Sequence, residues 1–376
     1  MAEQAAQQWN LPLGVTEISR EVFSLHMVIF WICLVIAVIV FAVMFWSLIR
    51  YRKSRGARSA HFHESTLVEV LWTAIPVVIL IAMAIPATAT LKKIYDPSAA
   101  DIDILITGYQ WRWRYEYMQE DIQYFSNMST PIEQIQNQNE KTPTYLLEVD
   151  EPLVLPVGKK VRFLLTSADV IHAWWVPELA VKKDAVPGFI NEAWTRIDEP
   201  GTYRGQCAEL CGKNHGFMPI EVKAVSQQDY QAWLAERKQQ QQQALASADK
   251  DWTMADLMSQ GETVYNTYCS SCHQVNGAGI PPVFPALAGS PMATQETGRT
   301  DHINTVLYGK AGTAMSAFGA VLSPSDLAAV ITYERNAWGN DSGDRVQPAE
   351  IKTVLEGGNE APQSAMTKEA DDANRS

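Results

Sequence analysis

The sequence predicts a multidomain chain: a two-helix transmembrane hairpin, then an antiparallel β-sandwich or barrel, then an all-α unit. Three observations carry this. Two apolar runs of membrane-spanning length fall within the first 91 residues, the next stretch consists of short runs rich in valine, isoleucine and aromatics, and after a glutamine run the pattern turns helical. At 376 residues the chain exceeds the ~100–200 of one domain. Its formal charge of −12 argues against nucleic acid as a partner, because phosphate binding needs a basic face. An acidic surface suits a basic protein partner or is simply solvated. Residues 249–376 hold 16 acidic and 8 basic side chains, so much of the excess lies late in the chain.

The first apolar run, MVIFWICLVIAVIVFAVMFWSL, covers Met27 to Leu48, and its 22 residues reach across a ~30 Å hydrocarbon core at ~1.5 Å per residue. The chain begins MAEQAAQQWNL, without the basic start and small-residue cleavage site of a signal peptide, so the run is expected to be a true span. Cys33 sits inside it as a small packing residue. The second run, Val68 to Leu91, carries Glu69 near its start and prolines at 76 and 86, which neighbouring helices accommodate in a bundle. The connecting loop holds Arg50, Arg52, Lys53, Arg55 and Arg58, against Arg20 before the first span and Lys92 and Lys93 after the second. The positive-inside bias places that loop in the cytoplasm and both termini outside, in an oxidising compartment.

From about residue 100 the runs DILITGYQWRWRYEY, YLLEVDEPLVLPVGKKVRFLLTS and GFINEAWTRIDEPGTYRGQC, with turn signals every 8–12 residues, give the β unit. MSTPIEQIQNQNEKTPT is expected as an inserted polar loop. QDYQAWLAERK is expected to close the unit as a helix that frays into the glutamines at 239–243, a low-complexity linker. The segments MADLMSQGETVYNTYC and SPSDLAAVITYERNAW follow as helices, and residues 343–376 are polar and expected to be disordered. The expected divisions are a segment at 1–24, the hairpin at 25–92, the β unit at 93–236, the linker at 237–251, the helical unit at 252–342 and the tail.

The remaining cysteines carry the chemistry. CSSCH, residues 269–273, has the C-x-x-C-H pattern of c-type haem attachment: Cys269 and Cys272 form thioethers and His273 is the proximal iron ligand. A redox C-x-x-C is the alternative. Met315, in GKAGTAMSAFG, is placed to be the second axial ligand, with Met292 as competitor and His302 more distant. Cys207 and Cys211, in QCAELCGKNHGFM, could form a disulfide outside the cytoplasm. His215 and Met218 shift the reading, because thiolate, imidazole and thioether together suit copper, whereas a thioether is an odd zinc ligand. Two thiolates call for two bridged coppers, each needing an imidazole and a weak axial donor. His172 is the other histidine between the second span and CSSCH. Met218 and the Glu209 carbonyl complete the set.

With these residues in view, the chain resembles subunit II of haem–copper cytochrome c oxidases, of the bacterial type with a fused cytochrome c. The resemblance covers most of residues 10–340 and rests on EVLWTAIPVVIL, GYQWRWRYEY, the His172…Cys207-x3-Cys211-x3-His215-x2-Met218 constellation and CSSCH. It implies a cupredoxin-like sandwich and a class I cytochrome c fold. It also implies that His172, Cys207, Glu209 (through its carbonyl), Cys211, His215 and Met218 hold a binuclear CuA centre. The Glu209 side chain would reach a magnesium at the subunit I interface, Trp111 would receive electrons near CuA, and Glu69 would stand at the mouth of a proton channel. The implied partners are subunits I and III, a cytochrome c or similar donor, and lipid of a bacterial inner membrane. Met315 is followed by Ser316, where many such cytochromes have proline. A copper-insertion protein of thioredoxin fold would lack Met218, the second span and the haem motif. A quinol oxidase subunit II would lack the ligands, and nitrous oxide reductase would need a His-rich domain that seven histidines cannot supply.

Overall fold

The computed structural model describes residues 10–56, 63–310 and 313–358. Arg58, the first nine residues and the tail beyond 358 lie outside that range. Helix α1 (Glu17–Arg50) starts at a capping box in which Thr16 and Ser19 exchange side-chain and backbone hydrogen bonds. Helix α2 (Thr66–Ile94) runs through both prolines. Among the described residues of the two helices, only Ile18, Ser19 and Thr90 are buried, all at the end next to the sandwich. Cys33 is exposed. Two helices this long and apolar, with bare flanks, match membrane spans whose faces meet lipid or another subunit.

Ten strands follow: β1 (Ile102–Tyr109), β2 (Arg112–Tyr117), β3 (Ile122–Ser126), β4 (Leu153–Pro156), β5 (Lys160–Ser167), β6 (His172–Val176), β7 (Val181–Ala185), β8 (Asn191–Arg196), β9 (Gly201–Cys207) and β10 (Pro219–Val225). They form two five-stranded sheets, ordered β3-β2-β1-β5-β8 and β4-β10-β9-β6-β7. Strand β5 shows why they pair face to face: Val161, Phe163, Leu165 and Ser167 are buried while the residues between them are not. The sandwich is not wholly antiparallel. β1 pairs β5 and β4 pairs β10 in parallel, because the chain crosses between sheets before returning beside those strands.

The hairpin is moored to the sandwich at its outer end. Val15 donates to the Glu178 carbonyl and Asp198 to the Val15 carbonyl, each at 3.0 Å. Trp194 Nε1 donates to the Lys93 carbonyl at 2.9 Å, Arg196 pairs with Glu17 at 3.0 Å, and Arg20 pairs with Asp198. These contacts set how the sandwich sits above the spans.

Two expectations need correction. The glutamines at 239–243 are not a loose linker but the middle of a continuous helix. After the single-turn α3 (Ile132–Ile135), α4 (Gln227–Ser247) starts from the Ser226 cap and runs through them. Glutamine is a good helix former, and the first turns bury Tyr230 and Leu234 on the sandwich. Trp233 packs on Tyr117 at 5.0 Å, and Arg237 pairs with Glu151.

The second correction concerns the tail. After α5 (Met254–Tyr268), α6 (Ser270–His273), α7 (Pro291–Thr294), α8 (Arg299–Tyr308) and α9 (Pro324–Asn336) comes α10 (Pro348–Gly358). Val346 and Ile351 are fully buried in the helical core, and Arg299 pairs with both Asp344 and Glu350. The helical unit therefore extends past residue 342, because two apolar side chains in a polar stretch suffice to dock its last helix.

The sandwich tolerates no side chain at Gly205, where an added Cβ would lie 1.9 Å from the Trp175 carbonyl oxygen on the paired strand β6. Gly205→Ala is expected to destabilise the sandwich by about 1–3 kcal/mol. A urea melt followed by tryptophan fluorescence reads this, and an unshifted midpoint would refute the close approach.

Candidate metal centres

The β6–β9–β10 side of the sandwich presents the first cluster. Cys207 ends β9, Met218 precedes β10, and Cys207 N–H donates to the Met218 carbonyl at 3.0 Å, closing the loop between them. Inside this loop the Cys207 and Cys211 sulfurs lie 3.8 Å apart, both as free thiols. His172 enters from β6 with Nδ1 4.0 Å from Cys207 Sγ, and His215 Nδ1 is 3.5 Å from Cys211 Sγ. The Glu209 carbonyl oxygen is 3.3 Å from Cys207 Sγ. Cys207, Cys211, Met218 and His172 are buried, while the Glu209 side chain points to the exposed surface. Ligand atoms of His172, Cys207 and Cys211 all lie within 4.8 Å of one another.

Electrostatics divide the two thiols. The neighbouring Cys211 thiol and the His172 ring hold the Cys207 pKa far below the ordinary thiol value. The adjacent Cys207 sulfur and burial push Cys211 up. Burial opposes charging His172, but its bond to Asp169 and the nearby Cys207 outweigh this and raise its pKa. One thiolate is thus ready, and a soft cation is what allows the second. Two sulfurs, two imidazoles, a thioether and a carbonyl on one loop and one strand fit a copper pair.

Asp169, Gln110 and Gly108, which the sequence did not single out, build this cluster together with Trp111. Asp169 accepts from His172 Nε2 at 2.9 Å, leaving Nδ1 toward the sulfurs, and also accepts from the Gln110 backbone N–H at 2.7 Å. It is the carboxylate that orients a ligating imidazole. Gln110 Nε2 and Trp111 Nε1 both donate to the Cys211 carbonyl, at 2.8 and 3.1 Å. Gly108 leaves room for the His172 ring, since a Cβ there would come within 2.7 Å of Cδ2. The spacing D-x-x-H was visible in the sequence, but nothing local marked Asp169 as a partner of that ring.

The second cluster is on the helical unit. Cys269 precedes the single turn α6 and Cys272 lies within it, and His273 Nδ1 is bonded to the Pro285 carbonyl at 2.9 Å, leaving Nε2 for a ligand. Burial pushes the Cys269 thiol well above its usual value and Cys272 upward as well. That is the reverse of a redox C-x-x-C, which needs a depressed pKa. Free thiols in C-x-x-C-H with an oriented imidazole fit covalent haem c. Met315 lies partly buried at the edge of the same helical core as Cys269. The Met292 carbonyl is held by Arg335 at 2.8 Å, and the His302 ring is taken by Glu334, also at 2.8 Å.

The two clusters approach each other across the β1–β2 turn, which carries Trp111. Its ring is 6.5 Å from that of Phe284, next to Pro285. Glu69 is remote from both in sequence and fold: it lies exposed in the first turn of α2, where its carboxylate accepts from Ser65 N–H at 3.4 Å.

A membrane-anchored cupredoxin-like sandwich with a Cys–His–Met cluster, joined to a C-x-x-C-H helical unit, defines an electron-carrying respiratory chain component. Comparison with known families agrees part by part. Residues 102–225 match the family described as "Cytochrome C oxidase subunit II, periplasmic domain", residues 4–89 its transmembrane domain, and residues 256–333 "Cytochrome C oxidase, cbb3-type, subunit III". A protein of Rickettsia felis named "Probable cytochrome c oxidase subunit 2" is 38% identical over 220 residues, covering 58% of this chain and 69% of that protein. "Cytochrome c oxidase subunit 2" of Arabidopsis thaliana is 38% identical over 242 residues, covering 61% and 90%. The crystal structure of the periplasmic domain of subunit II of the Bradyrhizobium japonicum cytochrome oxidase is 38% identical, covers 39% of this chain and 99% of that one, and superposes with a TM-score of 0.35. The chain belongs to the cytochrome c oxidase subunit II family and carries a cytochrome c domain on its C-terminal side. It is an integral membrane subunit of an oxidoreductase complex, and its two family domains imply CuA and haem.

Asp169→Ala is expected to lower copper affinity about 10–100-fold by freeing the His172 ring. Competition against a chromophoric chelator measures it, and wild-type affinity would remove Asp169 from the site.

Proposed function

We propose that this chain is the electron-input subunit of a terminal oxidase in a bacterial inner membrane, with both termini periplasmic. When bound, haem c and CuA would supply one-electron transfer between a cytochrome c or similar donor and the oxygen-reducing, proton-translocating subunit I. The observation that carries this reading is the 3.8 Å approach of two free, buried cysteine sulfurs, with an imidazole beside each.

The protein's own residues have distinct tasks. Cys207, Cys211, His172, His215, Met218 and the Glu209 carbonyl would together hold the copper pair. Burial excludes water, and Asp169, Gln110 and Trp111 hold the ligands in place, so that little moves when charge arrives. Cys269 and Cys272 would anchor the haem and His273 and Met315 would hold its iron, with Trp111 placed between that turn and Cys211. The exposed Glu209 carboxylate is free to reach a magnesium at the interface with subunit I. Glu69, at the cytoplasmic start of α2, is placed to meet a proton channel of that subunit. The bare flanks of α1 and α2 are the surfaces for subunits I and III and for lipid.

The reading is tested on the full chain loaded with haem and copper. A mixed-valence copper pair is expected, giving a seven-line hyperfine pattern and near-infrared absorption beside a low-spin haem. Cys207→Ser is expected to abolish that pattern, and a four-line mononuclear signal in the wild type would overturn the copper assignment. Met315→Ala is expected to convert the haem from low to high spin, while Met292→Ala leaves it unchanged. The reverse outcome would move the axial ligand to Met292.

A further inference from the structure

Arg112, the residue after Trp111 and the first of β2, is only 9% exposed. Its Nη1 donates across to the helical unit, to the Tyr268 carbonyl at 3.0 Å, one residue before the haem-attaching Cys269. Among the described residues its Nε has no hydrogen-bond partner. The guanidinium carbon is 4.2 Å from the ring centroid of Phe125 and 4.8 Å from that of Phe318, so one aromatic from each unit stacks on the cation. Phe125 also contacts Phe318 at 5.6 Å and Tyr268 at 6.3 Å, and it shares the helical unit's core.

A guanidinium that bonds to one unit and stacks on an aromatic from each does more than fill space. Two features give it a use. Its stacking and its hydrogen bond lock one orientation of the helical unit. Its fixed charge also lies beside the haem-attachment turn, bonded to the carbonyl of the residue before Cys269. Meanwhile the preceding residue, Trp111 in the β1–β2 turn, holds the Cys211 carbonyl at 3.1 Å. Two adjacent residues, at the end of that turn and the start of β2, therefore hold the two clusters.

We propose that Arg112 is a positioning residue for intramolecular electron transfer: it pins the haem-attachment turn against the Trp111 turn, so that the chain's own cytochrome c is held docked as donor to the copper loop. In the step it serves, one electron leaves ferrous haem c, which becomes ferric, and the copper pair takes it up. No bond is made or broken and no proton moves. The inference rests on the haem-to-copper reading above, and it adds that the route needs no undocking and that a positive charge is built into it.

The test uses the full chain in the assembled oxidase, with Arg112→Met, Arg112→Lys and Phe318→Leu. Haem c potential is read by spectroelectrochemistry, and haem-to-copper transfer by flash photolysis with a ruthenium photoreductant. Arg112→Met is expected to lower the haem c midpoint potential, because a cation that favours the reduced haem is gone, and Arg112→Lys to restore most of it. Transfer in Arg112→Met is expected to slow at least about tenfold, in line with removing one buried charged partner from an interface. Phe318→Leu, which leaves the charge but removes one stacking face, is expected to slow transfer with little change in potential. Wild-type rate and potential in Arg112→Met overturn the proposal. Should Arg112→Met fail to assemble, an unchanged rate in Phe318→Leu together with a wild-type rate in Arg112→Lys overturns it equally. Absence of any haem-to-copper transfer in the wild type would instead overturn the underlying reading.

Discussion

Two buried sulfurs 3.8 Å apart set the constraint on which the periplasmic part of this chain depends. At that separation, two unit negative charges repel by about 4 kcal/mol even at an effective dielectric of ~20. The protein settles this by keeping one thiol low and the other high in pKa until a cation arrives. Everything around the pair limits movement. The loop is closed on itself by the Cys207–Met218 backbone bond, His172 is held by Asp169, and the Cys211 carbonyl takes two side-chain donors from the β1–β2 turn. A centre that gains and loses single electrons quickly must not rearrange, and a closed loop on a sandwich edge supplies that rigidity.

The same logic extends to the membrane. The outer end of the hairpin is tied to β8 and to the turn before β9 through Glu17, Arg20 and Lys93. The exposed apolar flanks of both spans require cover, whether by lipid or by helices of another subunit. Fixing the sandwich to the spans therefore fixes the copper loop relative to whatever packs there. Leu210, between Glu209 and Cys211, is exposed beside the copper loop.

What could be read in the sequence followed from locality. The haem motif lies within five residues and most of the copper set within twelve, and donor chemistry alone distinguished copper from zinc or a disulfide. His172 was reachable only because histidines are scarce here. Asp169 sits 59 residues from Gln110, and Arg112 sits 156 from Tyr268, so their roles exist only once the sheets and helices have packed. Arg112 in GYQWRWRYEY reads as an ordinary outward strand residue, and only the docked helical unit buries it. The glutamine run misled for a related reason: composition signals low complexity, whereas Tyr230, Leu234 and Arg237 upstream commit the backbone to a helix that glutamine then readily extends. Residues 343–358 misled through their polar average, which hid Val346 and Ile351.

That helix bears on why the donor domain is attached at all. Joining a cytochrome to its acceptor replaces a diffusional encounter with an intramolecular one, at an effective concentration set by the tether. A flexible tether would raise the encounter rate but leave orientation unsettled, and electron transfer depends steeply on which edge of the carrier faces the acceptor. Here α4 is packed on the sandwich at its start and reaches the helical unit at its end, where Ser247 and Ser325 hydroxyls meet at 3.0 Å. With α4 limiting distance and the Phe125–Arg112–Phe318 stack limiting rotation, the attachment restricts both variables. The ordering entropy of docking is then met largely on folding rather than at each electron transfer, and the buried Arg112 guanidinium, bonded to Tyr268 and stacked on Phe125 and Phe318, is part of the same arrangement.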